Sequence, residues 1–399
     1  MLSQRQLFFR HLAQTSDFPL ALEIVHAEGL YLTDRDGKRY LDLISGIGVS
    51  NVGHRHPKVV AAIHQQVDTY MHLMVYGEYV QHPQVELARK LVSVLPAPLD
   101  NVYLTNSGTE AIEGALKLAK RHTGRTRMVT FRDTYHGSTH GALSVMGNEA
   151  FKHAFRPLLP DVEVLDYNVS AQLERIDRRT AVVVVESVQG EAGYQTPCVA
   201  WLQQLRARCT EVGALLLVDE IQSGMGRTGK MFGFEHAGIV PDIVTLAKGL
   251  GGGLPIGAFI ASSAVMGSLK NNPILGHITT FGGNPVCAAA ASAVLDVLLH
   301  ERLTDGVEAK SELFRQLLRH KRILRITGRG LMLAADLGSF DFNKAVIDRC
   351  MAAGVIVDWF LFNDRSLRIA PPLTIGEDEI RQACAVIVAA IEAEDAARA

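Results

Sequence analysis

The sequence predicts an α/β fold: a large three-layer αβα domain with a mostly parallel sheet, and a smaller α+β domain built from both chain ends. Three observations carry this. The runs AVVVV (181–185), ALLLV (214–218) and DIVTLA (242–247) are short and continuously apolar, which suits strands buried on both faces beneath covering helices. Between about residues 60 and 290 such runs alternate with helical stripes. The length, 399 residues, exceeds what one core sustains, since single cores stop growing near ~250–300 residues.

Residues 20–45 show alternating apolar positions broken by Asp36-Gly37, the pattern of a small antiparallel hairpin. NVYLT (101–105) runs into a glycine-containing turn and then a helix with Ile112, Ala115, Leu116 and Ala119 on one stripe. Beyond about residue 295 a helix near 296–320, short strands near 324–337 and a final helix are expected. That last helix opens with Thr374-Ile375-Gly376-Glu377, a capping-box spacing, and its stripe of Ile380, Cys384, Ile387 and Ile391 should face a core. The division expected is 1–50 as part of the small domain, 51–295 as the large domain and 296–399 as the rest of the small one.

Composition narrows the class. Hydrophobic residues at 48% and charged residues at 21% are ordinary globular values, which excludes disorder. A net charge of -2 gives no reason to expect nucleic acid or an anionic membrane as partner. Five scattered cysteines without metal-ligand spacing read as reduced thiols. No apolar run approaches the ~20 residues of a membrane span, and MLSQRQLFFRHLAQ is too polar for a signal peptide. A cytoplasmic protein is expected.

The chemistry is concentrated at strand ends, where open α/β sheets bind ligands. Glu186 follows AVVVV, Asp219 follows ALLLV and Lys248 follows DIVTLA. Separations of 33 and 29 residues match one βαβ unit each. An acid and a lysine in one apolar crevice have two readings: a buried structural ion pair, or a Schiff-base lysine whose cofactor needs a carboxylate against its pyridine nitrogen. A phosphate site bears on the choice. In Asn106-Ser107-Gly108-Thr109-Glu110, between strand and helix, Gly108 allows close backbone approach, and the N–H groups of Gly108 and Thr109 sit where the helix dipole favours a dianion. A plain N-cap by Ser107 or Thr109 is the other reading. The stretch from Lys248 to Gly253 is no dinucleotide fingerprint, because the lysine precedes the glycines and no acid stands about 20 positions later at a strand end. Its glycines are expected to give the lysine room to swing.

Together these residues resemble the class III aminotransferases of the fold type I pyridoxal phosphate enzymes. The similarity runs from Gly37-Lys38-Arg39-Tyr40-Leu41-Asp42 and Gly53-His54-Arg55-His56-Pro57 to Arg368-Ile369-Ala370-Pro371-Pro372-Leu373. Its most specific segments are NSGTEA (106–111), YHG (135–137), QGEAG (189–193), LLVDEIQSGMGRTGK (216–230), LAKGLGGGLPIGA (246–258) and TTFGGNP (279–285).

The resemblance implies pyridoxal 5'-phosphate as cofactor, Lys248 as its Schiff-base lysine and proton shuttle, and Asp219 as partner of the pyridinium nitrogen. It implies that Gln222 binds the phenolic oxygen, that Tyr135 stacks on the ring, and that Gly108 and Thr109, with Ser107 nearby, hold the phosphate. Thr280 completes the phosphate site from a neighbouring subunit, hence a homodimer with shared active sites. Arg368 grips the substrate carboxylate, Glu191 gates that arginine, and Glu186 supports the site from behind. The bland alternative for Arg368 and Glu191 is a surface ion pair, worth ~0–1 kcal/mol; for Asp219 it is an N-cap of the segment Glu220-Ile221-Gln222.

Ser138 stands where ornithine, acetylornithine and 4-aminobutyrate aminotransferases carry an arginine for the distal carboxylate, and Phe18 stands roughly where ornithine-type enzymes place a substrate tyrosine. The reading is amino transfer from an ω-amino acid or other primary amine to a 2-oxo acid such as 2-oxoglutarate. Racemisation, epimerisation or 1,2-amino migration on the same scaffold would need no oxo-acid acceptor. A non-catalytic nucleotide-binding α/β protein would be colourless and unchanged by borohydride.

Overall fold

A computed structural model describes residues 2–17, 19–75 and 78–398; Phe18 lies outside them. After the helix Gln4–His11 come three antiparallel strands, β1 (Ile24–Glu28), β2 (Tyr31–Asp34) and β3 (Arg39–Asp42). The hairpin expected around Asp36-Gly37 is thus the second of two turns. The first forms at Gly29, whose φ of +57 reverses the chain directly after β1.

The large sheet contains β4 (Asn101–Thr105), β5 (Arg127–Phe131), β6 (Val162–Leu165), β7 (Thr180–Glu186), β8 (Leu215–Asp219), β9 (Ile243–Leu246) and β10 (Gly257–Ala261), in the order β4-β10-β9-β8-β7-β5-β6. Strands β5 to β9 are parallel. β10 is antiparallel to both β4 and β9, because the link from β9 to β10 is too short for a helical crossover. Every residue of β7, β9 and β10 is buried. The Gly108–Thr123 helix covers one face, pressing Ile112, Ala115, Leu116 and Ala119 onto Val182, Leu217 and Phe259. The Val199–Val212 helix covers the other with Trp201, Leu205 and Cys209. The three-layer arrangement follows.

Three expectations need correction, two of them about helices between strands. The β7–β8 crossover contains a helix as spacing suggests, but residues 220–242 between β8 and β9 form turns and one short 3-10 segment, Gly233–Ala237. A buried carboxylate organises this stretch: Glu220 accepts from the N–H groups of Gly233 (2.9 Å) and Phe234 (2.8 Å) and from Ser223 Oγ (2.7 Å). In place of one helix near 296–320 there are two, Pro285–His300 and Val307–Leu317. The first starts early because Asn284 caps it through Val286 and Cys287 N–H, with Pro285 at the first helical position.

The remaining strands are β11 (Arg325–Arg329), β12 (Met332–Asp336), β13 (Val355–Ile356) and β14 (Ser366–Ile369). β11, β12 and β14 form an antiparallel sheet, whereas β13 pairs in parallel with β3, so the two chain ends share a sheet. The last helix, Glu377–Ala397, buries Ile380, Cys384, Ile387 and Ile391 as its periodicity requires. Its cap differs from the expected Thr374–Glu377 pair: Gly376 is the N-cap and donates its N–H to Glu379 Oε2 at 3.1 Å. No helix among the described residues is long and apolar enough to cross a membrane.

Candidate active site

Adjacent parallel strands put Glu186 opposite Asp219 in register, and Lys248 follows β9 by two residues. All three line a cavity of about 550 Å³. Across it lies the N-terminus of the Gly108–Thr123 helix, with Ser107, Gly108 and Thr109 in the lining, and Tyr135, Gln222 and Glu191 complete the wall. Parallel strands end on the same side, so the cavity is a consequence of topology. A larger hollow, about 780 Å³, is lined by residues 4–35 alone and holds no lysine.

Lys248 has a φ of +41, a left-handed conformation that costs a non-glycine residue ~1–2 kcal/mol and concentrates at functional sites. Its Nζ makes no hydrogen bond among the described residues. Burial depresses its pKa; Glu191 works against that effect and Arg368 adds to it. An amine so placed is readily neutral, the state in which it takes up protons or attacks carbonyls. The expectation that the following glycines give it room is overturned for three of the four. A Cβ on Gly249 would lie 2.6 Å from Asn51 Nδ2, on Gly251 2.0 Å from Leu254 O, and on Gly252 2.5 Å from Val294 Cγ2. These glycines let backbone pack closely, and only Gly253 both lines the cavity and has free space at its Cβ.

Asp219 caps no helix. Its Oδ1 accepts from Ile221 N–H at 2.9 Å in a turn, and its Oδ2 lies 2.8 Å from His136 Nδ1. A carboxylate only accepts, so Nδ1 of that imidazole carries the proton. His136 is buried and its Nε2 has no partner. The sequence reading passed over this residue, although its place in YHG beside Tyr135 was the available signal. Glu186 holds the same segment from below, accepting from Tyr135 N–H (2.9 Å) and Gly190 N–H (2.6 Å). Burial lifts its pKa to about 7, His136 pulling it down and Asp219 pushing it up.

Ser107 caps the Gly108–Thr123 helix, accepting from Glu110 N–H at 3.3 Å. The cap does not use the N–H groups of Gly108 and Thr109, which are first-turn donors without intrahelical partners and face the cavity wall where an anion would be favoured.

Arg368 and Glu191 form no surface pair. They are 2% and 4% exposed and meet in a bidentate fork, Nη1–Oε1 3.1 Å and Nη2–Oε2 2.5 Å. Phe360 covers the guanidinium at 4.3 Å. Burial is the largest single influence and would lower the arginine's pKa, but Glu191, Tyr194 and Asp358 together hold the group above its ordinary value. Burial is likewise the largest influence on Glu191 and would raise it, but Arg368, with Lys248 and the Leu361 N–H, brings it below its ordinary value. Baring a buried charge costs ~3–5 kcal/mol, so whatever displaces Glu191 must bring an anion of its own. Gln222 Nε2 stands 3.5 Å from Glu191 Oε1, and its own Oε1 is buried without a partner.

Thr280 is exposed and outside the cavity lining. Its neighbour Thr279 accepts from Asn106 Nδ2 at 3.1 Å, so the loop reaches the edge of the cavity wall at the start of the Gly108–Thr123 helix without entering it.

The profile of the family described as "Aminotransferase class-III" matches residues 12–391. An acetylornithine aminotransferase from Methanopyrus kandleri is 42% identical over 386 residues, spanning 96% of this chain and 97% of that one. The ornithine aminotransferase structure from Toxoplasma gondii superimposes with a TM-score of 0.92 at 30% identity, over 99% of this chain and 96% of that one. A pyridoxal phosphate-bound amine transaminase from an uncultivated Pseudomonas species does so at 0.85 and 28%, over 96% and 97%.

Proposed function

Because the chain belongs to the class-III aminotransferases, we propose that it moves the terminal amino group of an ω-amino acid or similar primary amine to a 2-oxo acid such as 2-oxoglutarate, with Lys248 and Asp219 as its central residues. The cofactor is pyridoxal 5'-phosphate. The residues present fit it: an unbonded amine, a buried carboxylate, helix N–H donors and the orphaned Gln222 Oε1 line one cavity. That convergence is the observation that carries the reading.

The cofactor supplies a carbonyl that captures amines and a protonated ring that withdraws electrons from the substrate carbon. Lys248 Nζ would carry the proton between that carbon and the carbon on the other side of the transferred nitrogen, a task suited to a lysine with depressed pKa. Asp219 keeps the ring nitrogen protonated, and His136 fixes the carboxylate's direction. Tyr135 covers the ring, Gln222 orients its oxygen, and the N–H groups of Gly108 and Thr109 with Ser107 hold the phosphate. Arg368 receives a substrate carboxylate in the fork Glu191 otherwise fills, so one site serves carboxylate and non-carboxylate partners in turn. Glu186 acts indirectly, by anchoring the Tyr135 segment. In the proposed division, residues 51–295 carry the cofactor while 1–50 and 296–399, which include Arg368, close over it. The similarity to transaminases along the whole chain does not favour racemase or aminomutase chemistry. Mixing enzyme, a primary amine donor and 2-oxoglutarate should yield glutamate; conversion of an amino acid without any oxo acid would sink the reading.

A homodimer with shared sites is supported by the exposed apolar side chains that flank Thr280 in the chain, Ile274 (73%), Ile278 (59%) and Phe281 (57%), since clustered exposed apolar residues mark interaction surfaces. Thr280→Ala should weaken cofactor retention roughly tenfold, the worth of a lost charge-assisted hydrogen bond. In a mixed dimer the defect should appear in the partner's site, and a defect confined to the mutated subunit's own site would refute sharing. A reducing cytoplasm suits the five unpaired thiols.

Ser138 is exposed, with its Oγ 3.2 Å from Tyr135 Oη. With serine there, position 138 itself offers no fixed charge to a distal donor carboxylate. Ser138→Arg is expected to raise kcat/KM for such donors roughly 10- to 100-fold while leaving simple amines unchanged, measured over a donor panel. Equal effects on both classes would show that this position does not read the carboxylate.

A further inference from the structure

Thr109 is tied to more than the anion site. Its Oγ1 lies 2.7 Å from Thr139 Oγ1 and accepts from Thr139 N–H at 3.3 Å. Thr139 Oγ1 in turn lies 2.5 Å from Glu113 Oε1. The same oxygen accepts from the N–H groups of Gly141 (2.8 Å) and Ala142 (3.1 Å).

Counting protons fixes the direction of this chain. The Glu113 carboxylate only accepts, so Thr139 gives it its single hydroxyl proton. Thr139 Oγ1 is then the acceptor toward Thr109, whose hydroxyl proton is consumed in that bond. The Thr109 hydroxyl is therefore committed to Thr139, and what Thr109 has left for an anion is its main-chain N–H. Glu113 is one turn further along the same helix, so the path from Thr109 through Thr139 to Glu113 closes a loop that pins the first turn to the 137–142 segment. Two glycines make the approach possible. A Cβ on Gly137 would lie 2.4 Å from Thr109 Oγ1, and one on Gly141 2.0 Å from Glu113 Oε2.

We propose that Glu113, acting through Thr139, is a positioning residue of the cofactor's phosphate cradle, fixing the direction of the Gly108 and Thr109 N–H groups. This rests on the reading that the first turn holds the phosphate. The ring side of the site has separate anchors: Tyr135 N–H on Glu186 and His136 on Asp219. Loss of Glu113 therefore acts on the phosphate alone. A Glu113 that merely caps the His140–Ser144 helix would matter to folding but not to the distinction between a phosphorylated ligand and its dephosphorylated twin.

The test is the binding of pyridoxal 5'-phosphate and of pyridoxal to full-length protein freed of cofactor, read by absorbance titration with melting temperatures alongside. Glu113→Ala and Thr139→Val should each weaken pyridoxal 5'-phosphate roughly tenfold and leave pyridoxal within about threefold. Glu113→Gln, whose Oε1 accepts from the same donors, should restore the phosphate preference. Thr139→Val leaves both N–H groups of the 140–144 helix on Glu113, so it remains informative if Glu113→Ala folds poorly. Thr109→Ala removes the hydroxyl tie and keeps the N–H, so it should erode the preference as Thr139→Val does. Wild-type protein with no preference for pyridoxal 5'-phosphate over pyridoxal would overturn the cradle; a wild-type preference that none of the three variants erodes would leave the cradle and overturn the role of Glu113. A lowered melting temperature with an unchanged preference would overturn the proposal in favour of a structural cap.

Discussion

Lys248→Ala is expected to cut turnover of amine with 2-oxoglutarate by roughly 10⁴-fold or more, because the variant lacks both the cofactor-bonding amine and the group that carries the proton. The fold should survive. Lys248 Nζ has no hydrogen bond to lose among the described residues, and alanine at a φ of +41 is no worse than lysine. A melting temperature within a few degrees of wild type would therefore accompany the lost rate. The phosphate-side donors at Gly108 and Thr109 remain, so some cofactor should stay bound. A small primary amine added to the buffer should recover a fraction of the rate, since the cavity left by the side chain opens on the same space. Turnover within tenfold of wild type would exclude Lys248 from the chemistry.

The cavity was legible because its parts obey local rules. Continuous apolar runs announce strands of a covered parallel sheet, and the charged residue ending each run must then stand at one edge, as Glu186, Asp219 and Lys248 do. The final helix was legible for the same reason, its stripe repeating at helical spacing, while its cap was missed because Gly376 takes the place that Thr374 fits equally well on paper. What stayed hidden depends on tertiary neighbours. His136 and Asp219 are 83 residues apart and touch only because of the order β8-β7-β5. The pairing of Arg368 with Glu191 spans 177 residues, and its burial, which turns a weak surface pair into one that cannot be opened without a replacement anion, is set by Phe360 and Tyr194 packing over it. The link between β8 and β9, which has no α-helix, was unreadable because Glu220 looks like any acidic residue until Gly233 and Phe234 close around it.

Asp219→Asn should lower kcat by roughly 10²–10³-fold, the scale on which one preorganised electrostatic partner acts. The substitution is close to isosteric and separates charge from shape. Asparagine keeps an oxygen for Ile221 N–H, so the turn after β8, worth about 1 kcal/mol, is retained. Its other end becomes an amide donor facing His136 Nδ1, which now carries a proton against a proton unless the imidazole shifts tautomer. Either way the negative charge that would keep the cofactor's ring nitrogen protonated is gone, and with it the electron withdrawal that lets Lys248 remove the substrate proton. Cofactor binding should fall far less than kcat, because the Gly108–Thr109 donors and the Tyr135 face are untouched. Steady-state kinetics at saturating cofactor, beside a cofactor titration, distinguishes the two quantities. His136→Phe should show a smaller loss of the same kind, about tenfold, since it removes only the group that aims the carboxylate. Should Asp219→Asn retain more than a third of wild-type kcat under saturation, the buried carboxylate would be a structural partner of His136, and the assignment of its charge to the reaction would fail.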